Sequence, residues 1–361
     1  MSQNSGRSVM TANKGAAALA ALYTDDNGSE NDFIAAVAAE FTELLNEWHS
    51  RPQLLDPELD AYVHSIYAEL PQLPKLSKPK HFFSPSSTDA CTRSLYEQQR
   101  GADRDVQREQ PHKKRWTQIG TAIGDMVQKD LLLIEKHMPE ARFRFARNAA
   151  GYPMFEEFAS TCKLVQLDGT QFAVCGSPDG IMIYTDENGK EHRIGLEVKS
   201  KQTTPARTSR TSMKEADVKH IAQVRTYAHL YDVDHYLIIY VNAAHKSWNM
   251  TDEDFEKTPD IRVFGIDCSE EKRLISLRKM AKAQQAVDNE QPPLPDLAKW
   301  TFNNFKTAIA RSVTDDELAQ LEQQLLEIEA GSLKDWIKRE YRQSFEQLRS
   351  MAFTEREKAA K

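Results

Sequence analysis

Two strand-like apolar runs separated by a tight turn form the clearest pattern in this sequence. The runs span residues 181–184 and 194–200, and Asn188 and Gly189 lie between them. An Asn-Gly pair supplies the positive φ angles that a hairpin turn needs. A loop rich in Lys, Arg, Ser and Thr comes next, followed by helical spacing over residues 215–231. The pattern therefore predicts a β-hairpin, a basic loop and a helix.

Polar side chains interrupt this pattern where a strand that merely packs would carry apolar ones. Asp179 stands at the start of the first run, and Glu197 and Lys199 are two residues apart in the second. Because side chains alternate along a strand, Glu197 and Lys199 point to the same face. On the helix, Gln223 and Tyr227 are four residues apart and also share a face. Each of the three predicted elements thus offers polar groups in one direction.

This set of side chains suits metal-assisted hydrolysis of a phosphodiester. Asp179 and Glu197 can hold a hard divalent cation, Mg²⁺ or Mn²⁺, through oxygen ligands, and the Val198 backbone carbonyl could add a further ligand. Lys199 would lie beside the attacking water and the scissile phosphate, where it lowers the pKa of the water or stabilises the developing charge. Each residue alone also fits a turn or a solvated strand face, and the joint occurrence favours the site.

Hydrophobic spacing predicts further elements on both sides of the hairpin. Helices are expected over about 33–48, after Pro57, around Cys91, over 117–137 and over 269–288, and strands over 170–175, 235–242 and 261–267. The C-terminal residues read as charged helices with heptad-like spacing at Leu318, Leu321, Leu325 and Ile328. That face could contact a partner or a second copy, or form a helical lid.

Proline and lysine mark the main boundary, because residues 71–80 (PQLPKLSKPK) are typical of a linker. We therefore expect a flexible N-terminus over 1–30, a helical region and linker over 31–80, a core over 81–295, and a helical C-terminal region over 296–361.

Composition sets the outer limits. With 28% charged and 40% hydrophobic residues, the 361-residue chain has the make-up of a soluble protein, and its net charge of −7 disfavours a protein that coats nucleic acid. A local positive groove would still suffice for a nuclease. No apolar run approaches the roughly 20 residues needed to cross a bilayer. Residues 15–23 only faintly resemble a presequence. A cytoplasmic location, in a bacterial or phage-infected cell, is expected, without organellar targeting or membrane attachment.

The four cysteines, at positions 91, 162, 175 and 268, show no CxxC spacing. The absence of this spacing disfavours a zinc site and a disulfide scaffold, so reduced thiols are predicted.

Several of these residues, taken in order, resemble the PD-(D/E)xK nuclease superfamily. The resemblance is to its RecB-like branch with a QxxxY helix, which includes phage exonucleases and the CRISPR-adaptation nucleases. The similar pieces are Pro178-Asp179, Glu197-Val198-Lys199, the sequence QVRTY at 223–227, and an upstream segment with Ser84-Pro85-Ser86-Ser87, Cys91, Arg93 and Tyr96. The resemblance covers about residues 82–295.

The resemblance implies an α/β core of the restriction-endonuclease type, with a mixed central β-sheet flanked by helices and helical additions at both ends. It implies a metal-dependent deoxyribonuclease, with exonuclease action on DNA ends in recombination, repair or phage DNA metabolism favoured. Asp179, Glu197 and Lys199 would be catalytic, while Gln223 and Tyr227 would orient the lysine and contact the strand. An endonuclease of the same fold and an inactive DNA- or protein-binding module are the alternatives. The resemblance is also compatible with a partner protein that anneals or binds single strands, and with a homo-oligomer.

The sequence departs from that branch in two places. A His in a pattern resembling GTxxH usually completes the metal site, and Gly124 stands in its place. Asp125, Gln128 or Glu135 could supply the ligand instead, or one ligand is absent. The iron–sulfur cluster of the CRISPR-adaptation nucleases uses one early and three late cysteines, and only Cys268 lies late here. No iron–sulfur cluster is expected.

Basic and aromatic residues near the predicted site are candidates for DNA binding. The set comprises Arg93, Tyr96, Lys201, Arg207, Arg210, Lys214, Lys219 and Arg225. The resemblance implies a DNA-backbone contact for Arg93, which could instead be a simple surface arginine. The loop at 201–219 could bind phosphates or be a disordered insertion. The basic cluster at 112–115, next to Trp116, could likewise contact phosphate or be a solvated charge run.

Overall fold

The computed structural model describes residues 28–106, 110–244 and 247–360. The flexible N-terminus predicted for 1–30 lies outside them except for 28–30, which belong to the first helix. The α-helices of the described residues are α1 (Gly28–Ser50), α2 (Pro57–Glu69), α3 (Thr92–Gln99), α4 (Pro111–His137), α5 (Val218–Tyr231), α6 (Asp252–Lys257), α7 (Glu270–Asp288), α8 (Lys306–Ser312), α9 (Asp315–Ala330) and α10 (Asp335–Ala359). The strands are β1 (Phe143–Phe145), β2 (Thr161–Leu167), β3 (Thr170–Gly176), β4 (Gly180–Thr185), β5 (Glu191–Lys201), β6 (His235–Asn242) and β7 (Ile261–Asp267).

Five strands form a mixed sheet in the order β1-β4-β5-β6-β7. Strands β5 and β6 run parallel and are connected through α5, whereas the other neighbours are antiparallel. Strands β2 and β3 form a separate antiparallel pair. The predicted α/β class, with a mixed central sheet flanked by helices, is confirmed. The predicted hairpin is β4–β5, and Gly189 in its turn has a φ of +78°.

Strand β6 shows why helices cover both faces of the sheet. Tyr236, Ile238 and Tyr240 pack into one core cluster, together with residues of α5 and α7. Leu237 and Ile239 pack into a second cluster on the opposite face, with residues of α1 and α4. A strand covered on both faces is apolar throughout, which accounts for the uninterrupted run in the sequence.

The first helix is part of this core. A Cβ added at Gly265 on β7 would lie 2.3 Å from the backbone oxygen of Ile34, so the close approach of α1 to the sheet depends on that glycine. Phe41, two turns further along α1, is fully buried against Phe143. The linker predicted at 71–80 follows α2 and, beyond a short 3-10 turn, contains no helix or strand.

The C-terminal helices have a hydrophobic cluster of their own. Leu321 and Leu325 on α9 pack with Phe345 and Leu348 on α10 and with Trp300. The heptad-like face of α9 is thus used within the chain, which explains its spacing without a partner helix.

The prediction of reduced thiols is wrong for two of the four cysteines. Cys162 and Cys175 form a disulfide between β2 and β3. The two residues are directly opposite partners in the antiparallel register, which brings their side chains together although 13 positions separate them. The other two, Cys91 and Cys268, are free and buried.

Helix α4 begins earlier than the predicted position 117. Pro111 is its first residue, where the fixed φ of proline suits a helix start. No helix of the described ranges combines the length and the apolar character that crossing a bilayer requires.

Candidate active site

The end of strand β4 places Asp179 against β5. Gly180 is the first residue of β4 and pairs with Leu196, so Val198 lies beyond the last backbone partner that β4 offers. The Asp179 side chain replaces that partner, because its Oδ2 accepts a hydrogen bond of 2.6 Å from the Val198 N–H. The N–H and C=O of one strand residue point to the same side. The Val198 carbonyl therefore also points toward the side of Asp179.

Glu197 and Lys199 share the face of β5 that is covered by α5, as the alternation predicted. Lys199 Nζ lies 2.5 Å from Glu197 Oε1. The same oxygen accepts a hydrogen bond of 2.8 Å from Gln223 Nε2 on α5. Glu197 is 2% exposed, and its other oxygen, Oε2, is buried without a hydrogen-bond partner among the described residues. A buried carboxylate oxygen without a partner is costly, so Oε2 is suited to receive a ligand.

The segment that carries Asp179 is fixed by three hydrogen bonds from other elements. Tyr227 Oη on α5 donates to the Ser177 carbonyl at 2.7 Å. The Glu156 N–H donates to the Pro178 carbonyl at 2.9 Å, and Gln128 Nε2 on α4 donates to the Asp179 carbonyl at 2.9 Å. Asp179 is therefore held in place by both helices and by the turn before β2.

Aromatic rings exclude water beneath the carboxylates. Tyr227 stacks on Tyr236, with ring centroids 6.5 Å apart. The Tyr236 ring in turn covers Gly195, where an added Cβ would lie 2.0 Å from a ring carbon. Glycine is thus required two residues before Glu197.

Burial raises the pKa of both carboxyl groups, and repulsion adds to the shift at Asp179. Burial, followed by the charge of Glu197, raises the pKa of Asp179 to about 7, although the hydrogen bond from Val198 and the charge of Lys199 oppose the shift. Burial also raises the pKa of Glu197, against the effects of Lys199 and Gln223.

The pKa of Lys199 shifts upward, which keeps its side chain charged. Burial alone would lower its pKa, but the charge of Glu197 and the hydrogen bond to it outweigh burial, and the pKa is raised above its ordinary value. Lys199 is therefore a cation at neutral pH. It can donate hydrogen bonds and stabilise negative charge, but it has no lone pair with which to accept a proton.

The donor set fits a hard divalent cation that retains several waters. Among the described residues, no group of three or more His, Cys, Asp and Glu side chains is arranged to hold a metal ion. The protein ligands on hand are therefore Asp179, Glu197 Oε2 and the Val198 carbonyl. Mg²⁺ is commonly bound by one or two carboxylates plus water and substrate phosphate, so this small set is sufficient.

Asp125, Gln128 and Glu135 were the predicted substitutes for the missing His. Among the described residues, none of them joins Asp179 and Glu197 in a group of three or more acidic, His or Cys side chains. Gln128 is buried, and its amide nitrogen binds the Asp179 backbone. Asp125 is exposed, and its charge acts on Glu156 and Tyr67. Glu135 lies two turns further along α4, where its Oε1 is 2.5 Å from Arg147 Nη2.

Gly124 leaves open space on α4 between two contacts with the site region. Gly120, one turn earlier, faces Ser200 Oγ, and Gln128, one turn later, reaches Asp179. A Cβ added at Gly124 would meet no heavy atom within 4 Å. The space next to this edge of the sheet is therefore available to water or substrate.

This difference between the two glycines gives a stability prediction. Gly124→Ala is expected to stabilise the fold by up to about 1 kcal/mol, because alanine removes backbone freedom from the unfolded chain without a clash. Thermal unfolding should then show a Tm about 2 °C higher. Gly120→Ala is the matched comparison and should gain less, since its Cβ would lie 3.2 Å from Ser200 Oγ. A lower Tm for Gly124→Ala than for wild type would contradict this account.

Two residues near the site were missed by the sequence analysis. Glu156 has a φ of +46° and accepts a hydrogen bond of 2.9 Å from Tyr67 Oη. Its pKa is raised by burial, and the nearby charges of Glu157, Asp125 and Asp179 act in the same direction. No sequence pattern signals this turn.

His220 is the second missed residue. It lies three residues before Gln223 on the same face of α5, a spacing that could have identified it. Its Nδ1 is 2.8 Å from Tyr240 Oη, which itself accepts a hydrogen bond from the Asp217 N–H. Burial, followed by the charge of Lys199, lowers the pKa of His220 to about 3, so the ring is neutral.

The predicted DNA-binding residues fall into two groups. Arg207, Arg210, Lys214 and Lys219 are exposed on the loop after β5 and at the start of α5. That loop is anchored by Asn242 Nδ2, which donates to the Thr204 and Pro205 carbonyls and to Thr208 Oγ1 at 3.0 Å each. Lys201 is half-buried, with its Nζ 4.8 Å from the centre of the Tyr240 ring.

The second group is buried and is not placed to contact DNA, contrary to the prediction. Tyr96 and Arg225 are buried, and Arg225 donates to the Asp267 carbonyl. Arg93 is fully buried where α3 meets the C-terminal helices: its guanidinium contacts Glu97 Oε1 at 2.9 Å and Glu317 Oε1 at 2.7 Å. The C-terminal helices that cover Arg93 lie outside the stretch that carried the resemblance.

Replacing Arg93 should consequently affect stability and not DNA affinity. Arg93→Ala is expected to lower the free energy of unfolding by about 3–5 kcal/mol, because it leaves the buried Glu97 and the half-buried Glu317 without their cation. Arg207→Ala, at an exposed position, should change it by less than about 0.5 kcal/mol. Urea unfolding measures both values. Equal stabilities for the two variants would contradict the buried ion-pair network.

Comparison with known proteins gives two distant structural likenesses. No family model and no curated protein sequence matches this chain. The crystal structure of SSO0001 is 13% identical with a TM-score of 0.36, over 69% of this chain and 95% of that one. An alkaline exonuclease (LHK-Exo) from Laribacter hongkongensis is 10% identical with a TM-score of 0.36, over 58% of this chain and 89% of that one. Both likenesses are too distant to carry an argument about activity, which has to come from the site itself.

Proposed function

We propose that this protein is a metal-dependent DNA nuclease that hydrolyses phosphodiester bonds, with exonuclease action on DNA ends as the leading form. One observation carries the proposal. Asp179 lies directly before β4 and Glu197 lies on the neighbouring strand β5, and Lys199 Nζ contacts Glu197 Oε1. The other oxygen, Glu197 Oε2, is buried without a hydrogen-bond partner among the described residues. The motif resemblance stated for residues 178–227 supports the same chemistry.

Each residue has a defined task in this proposal. Asp179, Glu197 and the Val198 carbonyl would hold Mg²⁺ or Mn²⁺, with water completing the shell. The bound cation would supply Lewis acidity and lower the pKa of a coordinated water. Lys199 donates hydrogen bonds to a non-bridging phosphate oxygen and stabilises the charge that develops there.

Gln223 and Tyr227 on α5 hold the lysine and the carboxylates in position. Gln223 fixes the Glu197 oxygen that also binds Lys199, and so orients the lysine. Tyr227 acts through the backbone, since its hydroxyl fixes the carbonyl two residues before Asp179. Removing either is expected to lower the rate without removing a charged group.

Two alternatives from the sequence remain to be separated by experiment. An endonuclease would have the same site and would differ only in how the strand reaches it. A binding module without turnover is the other alternative, and the absence of a side chain at Gly124 favours it. Association with a recombination protein and homo-oligomerisation are further proposals that rest on the resemblance alone. A cytoplasmic location is a further proposal that rests on the expectation from the sequence.

Digestion of linear and closed circular DNA by the same preparation separates these functions. An exonuclease degrades linear DNA from an end and leaves the closed circle intact, and an end label gives the polarity. Nicking or linearisation of the circle would establish the endonuclease instead. Binding of DNA without cleavage under either metal would favour the binding module.

A further inference from the structure

The first third of α4, residues 111–119, forms an arm with a surface that no catalytic role explains. Every residue of this arm is exposed, whereas Ile123, one turn later, packs against the core. At a rise of 1.5 Å per residue the arm is about 14 Å long. Isolated helical turns of this length gain little stability by themselves, so a persistent uncovered helix is typical of a binding surface.

The charge of this arm is opposite to that of the whole protein. Residues 111–124 contain Lys113, Lys114 and Arg115 and no acidic residue, in a chain whose net charge is −7. All three cations are exposed, and none forms an ion pair with any residue in the described part of the chain. A cluster of unpaired cations on an acidic protein is complementary to a polyanion.

An aromatic side chain lies directly beside the cations. Trp116 is 53% exposed and contacts the His112 ring edge-to-face, with centroids 5.0 Å apart. Exposed aromatic rings next to basic side chains are the usual platform for bases of a single strand, since every base can stack on them. Duplex DNA, with its bases already stacked, offers no such face.

The arm is continuous with the candidate active site. The Trp116 carbonyl accepts a hydrogen bond of 3.0 Å from Gln202 Nε2, and Gln202 also contacts Ser200 Oγ, next to Lys199. Further along the same helix, Gln128 binds the Asp179 carbonyl. Twelve residues of helix separate Trp116 from Gln128, about 18 Å, which corresponds to roughly five stacked nucleotides.

We infer that residues 113–116 bind the single strand that leads to or from the scissile phosphate. Lys113, Lys114 and Arg115 contact its phosphates and Trp116 stacks on a base, a few nucleotides from Lys199. The role of guiding a strand to the scissile phosphate rests on the proposed nuclease function. The binding of single-stranded DNA by residues 113–116 does not depend on cleavage.

Binding of a fluorescein-labelled oligothymidylate, followed by anisotropy in EDTA, tests the arm without any turnover. Trp116→Ala is expected to weaken binding about 10-fold. The matched control is Trp336→Ala, which removes a Trp of nearly equal exposure, 56%, on the C-terminal helix α10 and should bind like wild type. Replacing Lys113, Lys114 and Arg115 together by Gln should weaken binding and lower the salt slope, the change in log affinity per log salt concentration, by about 2.

Several outcomes would overturn the inference. Wild-type affinity for the oligonucleotide in Trp116→Ala, or the same loss in Trp336→Ala, would remove the stacking role. Weakened binding of duplex DNA alone would exclude a single-strand surface. A wild-type dimer that Trp116→Ala converts to a monomer, with DNA affinity unchanged, would assign the arm to a second copy of this chain. If the wild type cuts no DNA but the arm variants still lose DNA binding, the arm is a single-strand binding surface and only the proposed nuclease activity is rejected.

Discussion

Replacing Lys199 by methionine is expected to lower the rate of phosphodiester hydrolysis about 10²–10³-fold, with the fold and the carboxylate pair retained. Methionine has similar length and no charge, so the variant removes the cation that lies 2.5 Å from Glu197 Oε1 and would face the phosphate. The pKa of Lys199 is raised, so the lysine is charged throughout the neutral range. The lysine therefore adds no titration of its own to the rate over that range.

Single-turnover cleavage of end-labelled DNA measures this loss. Lys190→Met is the matched control, because Lys190 is exposed in the turn before β5 and should retain the wild-type rate. A Lys199→Met protein that still gains thermal stability from Mg²⁺ but does not cut would separate the role of the lysine from metal binding. Cleavage at the wild-type rate by Lys199→Met would remove the lysine from the mechanism.

Asp179→Asn should abolish hydrolysis and, at the same time, stabilise the metal-free protein. The pKa of Asp179 is raised from 3.8 to about 7 by burial and by Glu197. The folded state then binds more protons than the unfolded state between these values, so stability falls as pH rises from about 4 to about 7. Asparagine has no such titration. We expect the variant to be more stable than wild type by up to about 4 kcal/mol above pH 7, because one pKa unit corresponds to about 1.4 kcal/mol, and by less near about pH 5.

Urea unfolding in EDTA at the two pH values measures this difference, and added Mg²⁺ should reduce it. A cation at 100 times its dissociation constant stabilises the wild type by about 2.7 kcal/mol and should leave Asp179→Asn unchanged. Asp186→Asn is a control of opposite sign. The pKa of Asp186 is lowered, first by its hydrogen bond to His192, so its contribution is present at high pH and is lost on acidification. Equal stability of wild type and Asp179→Asn at both pH values would contradict the raised pKa of Asp179.

The site was predictable because its parts lie on elements with strong local signals. The Asn188-Gly189 turn fixes the register of β4 and β5, and the register places Asp179 beside Val198. The period of two places Glu197 and Lys199 on one face, and the helical period aligns Gln223 with Tyr227. Short-range patterns thus determined most of the geometry.

What the sequence could not give depends on contacts between distant segments. Arg93 is buried by Glu317 and Ser312, more than 200 positions away, and no local pattern marks an arginine for burial. The Cys162–Cys175 bond depends on pairing between β2 and β3, and of these two strands the sequence analysis predicted a strand only over 170–175. Glu156 reaches the site through a turn with positive φ, which glutamate rarely adopts.

The most direct test of the central claim is release of an end label from linear DNA by wild type and Glu197→Gln, each with Mg²⁺, with Mn²⁺ and with EDTA. Glutamine retains the size of Glu197 but removes the charge and one of the two carboxylate oxygens. The account predicts release by wild type with metal, none in EDTA, and none by Glu197→Gln under any condition. Release by wild type in EDTA, or equal release by Glu197→Gln, would contradict a metal-dependent nuclease centred on this carboxylate pair.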